Sequence, residues 1–370
     1  MIQVGKDRVI EFNKELREKR NQVKQAVQNG TPFSDYNIND YELIPFDFET
    51  GRRRVYKNFN LSIFLNTECN ADCRFCIAQI RYQHKNAFYQ KEHIDSSDRY
   101  LARLEEVLKM IRPLNPSISI TGGEPTLSPI LPDVCKIVDD LGFRKRCITT
   151  NGSQLLKTQN NSTVLENLMK YHWNHLNISR AAIEDSMNKE IMKYNIEKEY
   201  CTVEMLRDIL KMTNDSEYCK HRLSCVLLKE SVSNVELMKK YIDFFAENCN
   251  ANNFIFRELM DYDKRAINTE KMAYCDRNKI KLYDIWHDFE KYPEFESYLN
   301  IIGYYYYVEI YKMYNESITV ASETADLNIQ DMEKQKNPDV VYEMVFHPNG
   351  CLSSGWVDNI QSEVLSEYKA

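Results

Sequence analysis

Between residues 60 and 260 the sequence repeats one local pattern six times: a short apolar or β-branched run, then a stretch with helical spacing. Nothing else constrains the fold as strongly. Strand-like runs lie at 61–66, 117–122, 144–150, 175–180, 222–228 and 253–259. Between the first two, Ser96 and Ser97 can cap a helix with Leu101, Leu104, Leu108 and Ile111 on one face, stopped by Pro113. In the next interval Pro132 sits near a helix start, Val134, Ile137, Val138 and Leu141 recur at helical spacing, and Gly142 ends the run. Later, Asn234 can cap a helix with Val235, Met238, Tyr241, Ile242 and Phe245 inward. Strands alternating with helices build a parallel sheet with right-handed crossovers. The expected class is α/β, with six βα units.

The flanks break this pattern. Residues 1–57 form an N-terminal extension whose segment 6–28 reads as a marginal, exposed helix ended by Asn29-Gly30. A polar stretch follows, in which Arg52-Arg53-Arg54 reads as a solvated turn. Residues 58–261 hold the six units, and 262–370 read as an α+β appendage that closes the open side of the sheet. In it, 303–308 and 317–320 are strand-like, and Asn349-Gly350 turns a hairpin. The chain of 370 residues carries a net charge of -7, which gives no global reason to expect nucleic-acid binding. It has no 18-residue apolar stretch and no signal segment, so a cytoplasmic protein without membrane contact is expected, with its eleven cysteines reduced.

Three of those cysteines follow the first strand directly, in Cys69-Asn70-Ala71-Asp72-Cys73-Arg74-Phe75-Cys76, a C-x3-C-x2-C spacing. Three thiolates on so short a loop can converge on a soft metal centre. Structural zinc usually takes four protein ligands, and no fourth Cys or His lies nearby in sequence. A site one ligand short suits a [4Fe-4S] cluster with one iron left open; the bland alternative is three unrelated buried cysteines. The second strand, Ser117-Ile118-Ser119-Ile120-Thr121, ends in Gly122-Gly123-Glu124-Pro125.

Together, the CxxxCxxC loop after one strand, the GGE after the next and the aromatic Phe75 just before the third cysteine resemble the radical S-adenosylmethionine (SAM) superfamily, over about residues 58–260. The resemblance implies a partial (β/α)6 barrel with its site at the C-terminal strand ends. It implies that Cys69, Cys73 and Cys76 bind one [4Fe-4S] cluster, whose open iron chelates SAM. It further implies that Gly122, Gly123 and Glu124 serve the amino group of SAM, with glycine backbone approaching where a Cβ would clash. Phe75, and either Leu259 or Met260, would border the adenine, and Thr150, Asn151 and Ser179 would contact ribose or carboxylate. Arg180 or Lys193 would neutralise the carboxylate. The implied chemistry is reductive cleavage of SAM to a 5′-deoxyadenosyl radical that abstracts hydrogen, with electrons from a donor such as flavodoxin or ferredoxin.

Three readings of the function compete: modification of a peptide or amino-acid residue, action on a nucleotide or other small metabolite, and a non-catalytic sensor. Beyond residue 250 only Cys275 and Cys351 occur, so a single cluster without an auxiliary site is expected. A nucleotide triphosphate would want a cluster of cations, which Arg180, Arg222, Arg257 and Arg265 could supply, although nothing resembles a phosphate loop. Cys351, after the Asn-Gly turn, is a candidate hydrogen donor to a substrate radical.

Overall fold

The computed structural model describes residues 6–82, 93–159, 161–195, 199–260, 269–356 and 364–368. It opens with α1 (Lys6–Asn29), followed by a hairpin of β1 (Leu43–Phe48) and β2 (Gly51–Tyr56). The helix is not the exposed element its thin apolar spacing implied. Leu16, Arg20, Val23 and Ala26 form a buried stripe. The Arg20 guanidinium donates to both Glu309 carboxylate oxygens, at 2.7 and 2.8 Å. The hairpin is not evident in the sequence because Pro45 and three arginines mask its strand character. Pro45 is tolerated because β1 is an edge strand. Arg54 lies within β2, not in a solvated turn, and holds Asp339 through two hydrogen bonds of 2.6 and 3.1 Å.

The six repeated units all form. In chain order they are β3 (Asn60–Phe64), α2 (Ser97–Ile111), β4 (Ser117–Thr121), α3 (Leu131–Asp140), β5 (Arg146–Thr150), α4 (Val164–Lys170), β6 (His175–Ser179), α5 (Asp185–Met192), α6 (Val203–Asn214), β7 (Lys220–Val226), α7 (Val235–Cys249) and β8 (Asn253–Arg257). The strands lie parallel, each beside the next in sequence. The caps are those the sequence names: Ser96 accepts from Arg99 N, Asn234 accepts from Leu237 N, and Gly142 ends its helix at φ +71°.

The C-terminal region extends both edges of this sheet instead of closing it. After α8 (Thr269–Asn278), β9 (Glu296–Ile302), β10 (Tyr306–Met313) and β11 (Ile318–Ala325) form an antiparallel meander, with β11 parallel to β8. The chain then adds β12 (Val340–Val341) to β2, and returns to the other edge. There β13 (Met344–Phe346) lies parallel to β3 and continues into β14 (Leu352–Ser353) and β15 (Val364–Ser366). Twelve strands result, an open, barrel-like sheet.

Its two faces differ sharply. Tyr241 of α7 packs edge-on against Phe254 and Phe256, so these rings face the helices. Side chains alternate along a strand, which turns Ile255 and Arg257 to the opposite, inner face. By the same alternation the helix-facing residues are Leu61, Ile63, Ile118, Ile120, Ile148, Leu176, Ile178 and Leu223, all in one apolar core. Their neighbours Ser62, Ser119, Thr149, Asn177, Arg222 and Ser224 point inward. A closed barrel of this kind is normally filled with bulky apolar side chains; here Ser62, Ser119, Thr149, Asn177, Arg222 and Ser224 make much of the interior polar.

Candidate active site

The loop after β3 carries Cys69, Cys73 and Cys76 as free, half-buried thiols. Three backbone hydrogen bonds from the end of α5 fix its path: Asp72 N donates to Lys193 O (2.8 Å), Arg74 N to Ile191 O (3.1 Å) and Asn195 N to Asn70 O (2.7 Å). Lys193 sits in the left-handed region at φ +46°, which ends α5 and turns the chain toward the loop. From the other side Lys271 of α8, buried, donates to the Asp72 and Cys73 carbonyls and pairs with Asp72 Oδ1 at 2.8 Å. Nothing in its helix pattern distinguishes Lys271 from a solvated charge, so sequence reasoning missed it.

Burial raises all three thiol pKa values, Cys69 to about 11, and the Cys73 thiol is pushed up further by Cys76 and Cys69. Thiolates crowded in this way need cationic metal beside them. Three thiolates on one short loop suit a cluster, in which each thiolate takes its own iron. The donor set therefore fits a [4Fe-4S] group held by Cys69, Cys73 and Cys76.

The Gly-Gly pair is built against this loop. A Cβ on Gly123 would stand 2.0 Å from Glu68 O, and one on Gly122 would stand 2.4 Å from Asn66 O. Gly123 N donates to Asn66 O and Glu124 N to Glu68 O, both at 2.7 Å. The space a side chain would fill is thus taken by loop backbone, which these glycines brace.

Glu124 is buried, and its carboxylate accepts four hydrogen bonds, from Thr126 N (3.1 Å), Thr126 Oγ1, Thr150 Oγ1 (2.6 Å) and Asn151 N (2.7 Å). Burial raises its pKa and these donors oppose the rise. Asn151 continues the chain of contacts by donating from Nδ2 to Asn70 Oδ1 (2.8 Å), and Asn70 donates to Ser153 Oγ (2.9 Å). The ends of β4 and β5 and the cysteine loop are thereby locked together. Asn70 was not singled out in the sequence; a carboxamide between two ligand cysteines was its one available signal.

The remaining candidates separate. Phe75 and Leu259 share an apolar cluster with Ala71, Cys69, Cys73 and Met192 at the loop. Ser179 is half-buried on the inner face, in register with Ser224. Lys193 is half-exposed, 3.7 Å from Asp72 Oδ2, in a cleft of about 390 Å³ that it shares with Arg74, Lys271 and Arg277. Arg180 is a correction. It is 1% exposed and donates to the carbonyls of Ala182, Cys201 and Ile183 while pairing with Asp185 at 2.8 Å, so it is held inside the fold and does not face a ligand. Cys351 is buried in its hairpin, with its N donating to Asn349 Oδ1 at 3.1 Å. Because β13 runs parallel to β3, this hairpin lies at the same end of the sheet as the cysteine loop. Arg265 lies outside the described residues.

Residues 63–215 match the family model described as the Radical SAM superfamily. These residues form a domain of that superfamily of enzymes, and both motif loops lie at the C-terminal ends of its strands. Over 94 residues the chain is 32% identical to the 7,8-dihydro-6-hydroxymethylpterin dimethyltransferase of Methanocaldococcus jannaschii, a match to 25% of this chain and 17% of that protein. The chain thus matches about a sixth of that relative's length. Among the described residues no helix is long and apolar enough to cross a membrane.

Proposed function

We propose that this chain binds one [4Fe-4S] cluster through Cys69, Cys73 and Cys76 and, with SAM on its open iron, generates a 5′-deoxyadenosyl radical that abstracts hydrogen from a substrate. The observation that carries the proposal is the cysteine loop itself, braced from one side by Gly122-Gly123 and from the other by Lys193 and Lys271. Glu124, Thr150 and Asn151 serve the SAM site by holding its walls, since their polar groups are engaged with one another. Phe75 and Leu259 supply an apolar surface for adenine. Lys193 is the cation for the methionyl carboxylate, and Ser179 offers its hydroxyl from the inner face. Cys351 is the candidate hydrogen donor. The surroundings proposed are a reducing cytoplasm and an electron donor of the flavodoxin or ferredoxin kind.

For the substrate, the sequence leans toward a peptide or amino-acid residue that is modified, cyclised or epimerised. A second reading, a small polar metabolite, is favoured by the polar inner face and by the pterin named for the matched relative. Anaerobic reconstitution with SAM and dithionite tests the core of the proposal. The expected products are 5′-deoxyadenosine and methionine, with about four irons per chain. Cleavage that persists when all three loop cysteines are replaced by Ala would sink the cluster assignment.

A further inference from the structure

Two arginines on the inner face have no role in the SAM site described above. Arg222 of β7 donates from Nε to Asn177 Oδ1 at 2.8 Å, and among the described residues no carboxylate forms an ion pair with it. Arg257, at the end of β8, has its Nε 3.4 Å from Glu323 Oε1, an ion-pair distance, yet that buried Nε donates no hydrogen bond. Arg222 and Arg257 lie on the inner face of the adjacent strands β7 and β8; burial, and then the charge of Arg257, lower the Arg222 pKa, while Cys147 and Glu323 oppose the fall. Both also act on the Cys147 thiol, the inner-face group to which Asn177 donates at 2.8 Å. Among the described residues, two partly buried cations face one carboxylate, which leaves an excess positive charge there. Such an arrangement is favourable only with a counter-anion, and a planar guanidinium is shaped to grip an oxyanion with two parallel hydrogen bonds.

We propose that Arg222 and Arg257 form an oxyanion-binding site on the inner face of the sheet, which anchors the substrate by a carboxylate or phosphate group. The proposal rests on the reading of this chain as a SAM-dependent enzyme whose substrate enters the barrel, and it names the charge that substrate carries. Glu323 competes with the ligand for Arg257, so it sets the affinity of the site without contacting the anion.

The test is calorimetric titration of the reconstituted full-length protein with inorganic phosphate and, separately, with succinate, without SAM or reductant. The measurement is therefore independent of whether SAM is cleaved. One anion is expected to bind per chain, and the tighter of the two distinguishes a phosphate-bearing substrate from a carboxylate-bearing one. Arg222→Gln should weaken it about tenfold, the scale of losing one charged hydrogen-bonding partner. Arg222→Lys should recover only part, because the fork is lost. Glu323→Gln should tighten binding severalfold by releasing Arg257, an effect that a purely structural arginine cluster cannot produce. It reads independently if the Arg222 variants misfold. Absence of binding by both anions to the wild type, or unchanged affinity in Glu323→Gln and Arg222→Gln, overturns the proposal.

Discussion

His221 and Arg222 are neighbours on one strand and live in opposite worlds. His221 turns outward, 2% exposed, where its Nδ1 meets Thr213 Oγ1 at 2.9 Å and its Nε2 accepts from Asn252 N at 3.3 Å. Arg222 turns inward to a half-buried, polar interior. The same contrast runs along every central strand: Ile118 and Ile120 against Ser119, Ile148 against Thr149, Leu176 and Ile178 against Asn177. The outer face is built to be removed from water and the inner face to receive something from it. Stability should therefore depend on one face and activity on the other, with the cysteine loop at the rim between them.

The largest effect expected is at that rim. Gly123→Val sets side-chain atoms where Glu68 O already stands, 2.0 Å from the Cβ position. The loop must then shift and the cysteines lose their arrangement, so iron content should fall from about four per chain toward zero. Iron assay and the visible absorbance of the reconstituted protein check this. Full iron loading with SAM affinity alone abolished would show that the glycine serves the ligand directly.

Next in size is the contrast between faces. Ile120→Ala removes a fully buried side chain from the outer face and should cost about 2–5 kcal/mol, read as a lowered denaturant midpoint. Ser119→Ala, one residue away, loses one half-buried hydrogen bond of 2.9 Å to Asn60 and should cost about 0.5–1.5 kcal/mol. Equal losses would mean that the inner face is packed like the outer.

A pH dependence tests the outer face of β7. Burial, then the nearby Lys220, lowers the His221 pKa from 6.5 to about 4. As pH falls below about 6.5 the unfolded chain takes up a proton that the folded protein refuses. His221 therefore contributes full stability above that pH and loses it progressively down to about 4, at up to about 1.4 kcal/mol per pH unit. Urea midpoints at pH 7 and pH 5 should differ less in His221→Gln than in the wild type; an unchanged difference would show that this imidazole does not carry the slope.

The parts of this architecture that could be read in advance are those governed by local spacing. The six strands appear where expected because β-branched runs and helical periods are short-range signals. The glycine pair and the cysteine loop were legible as motifs, although not the contact between them, because 2.0 Å of clearance at Gly123 is a tertiary fact. Partners distant in sequence escaped. Arg20 looked like one more charge on a solvated helix until Glu309 met it at 2.7 Å, and Arg180 looked like a strand-end cation until three carbonyls closed around it. The β1–β2 hairpin was hidden for a different reason: Pro45 and Arg52 to Arg54 interrupt its strand formers, and β12 from residues 340–341 helps to hold it.

The return of the chain to β3 has a consequence for assembly. Residues 344–346 hydrogen-bond to 61–63, the strand that leads into the cysteine loop. A ribosome makes the chain from its N-terminus, so β3 keeps a bare flank until residues 344–346, about 280 positions later, have emerged. Contacts this distant in sequence close late and slowly. During that interval the strand that delivers the ligand cysteines is open to stray pairing, and a nascent chain loaded with iron early would carry its cluster on the least supported strand of the sheet.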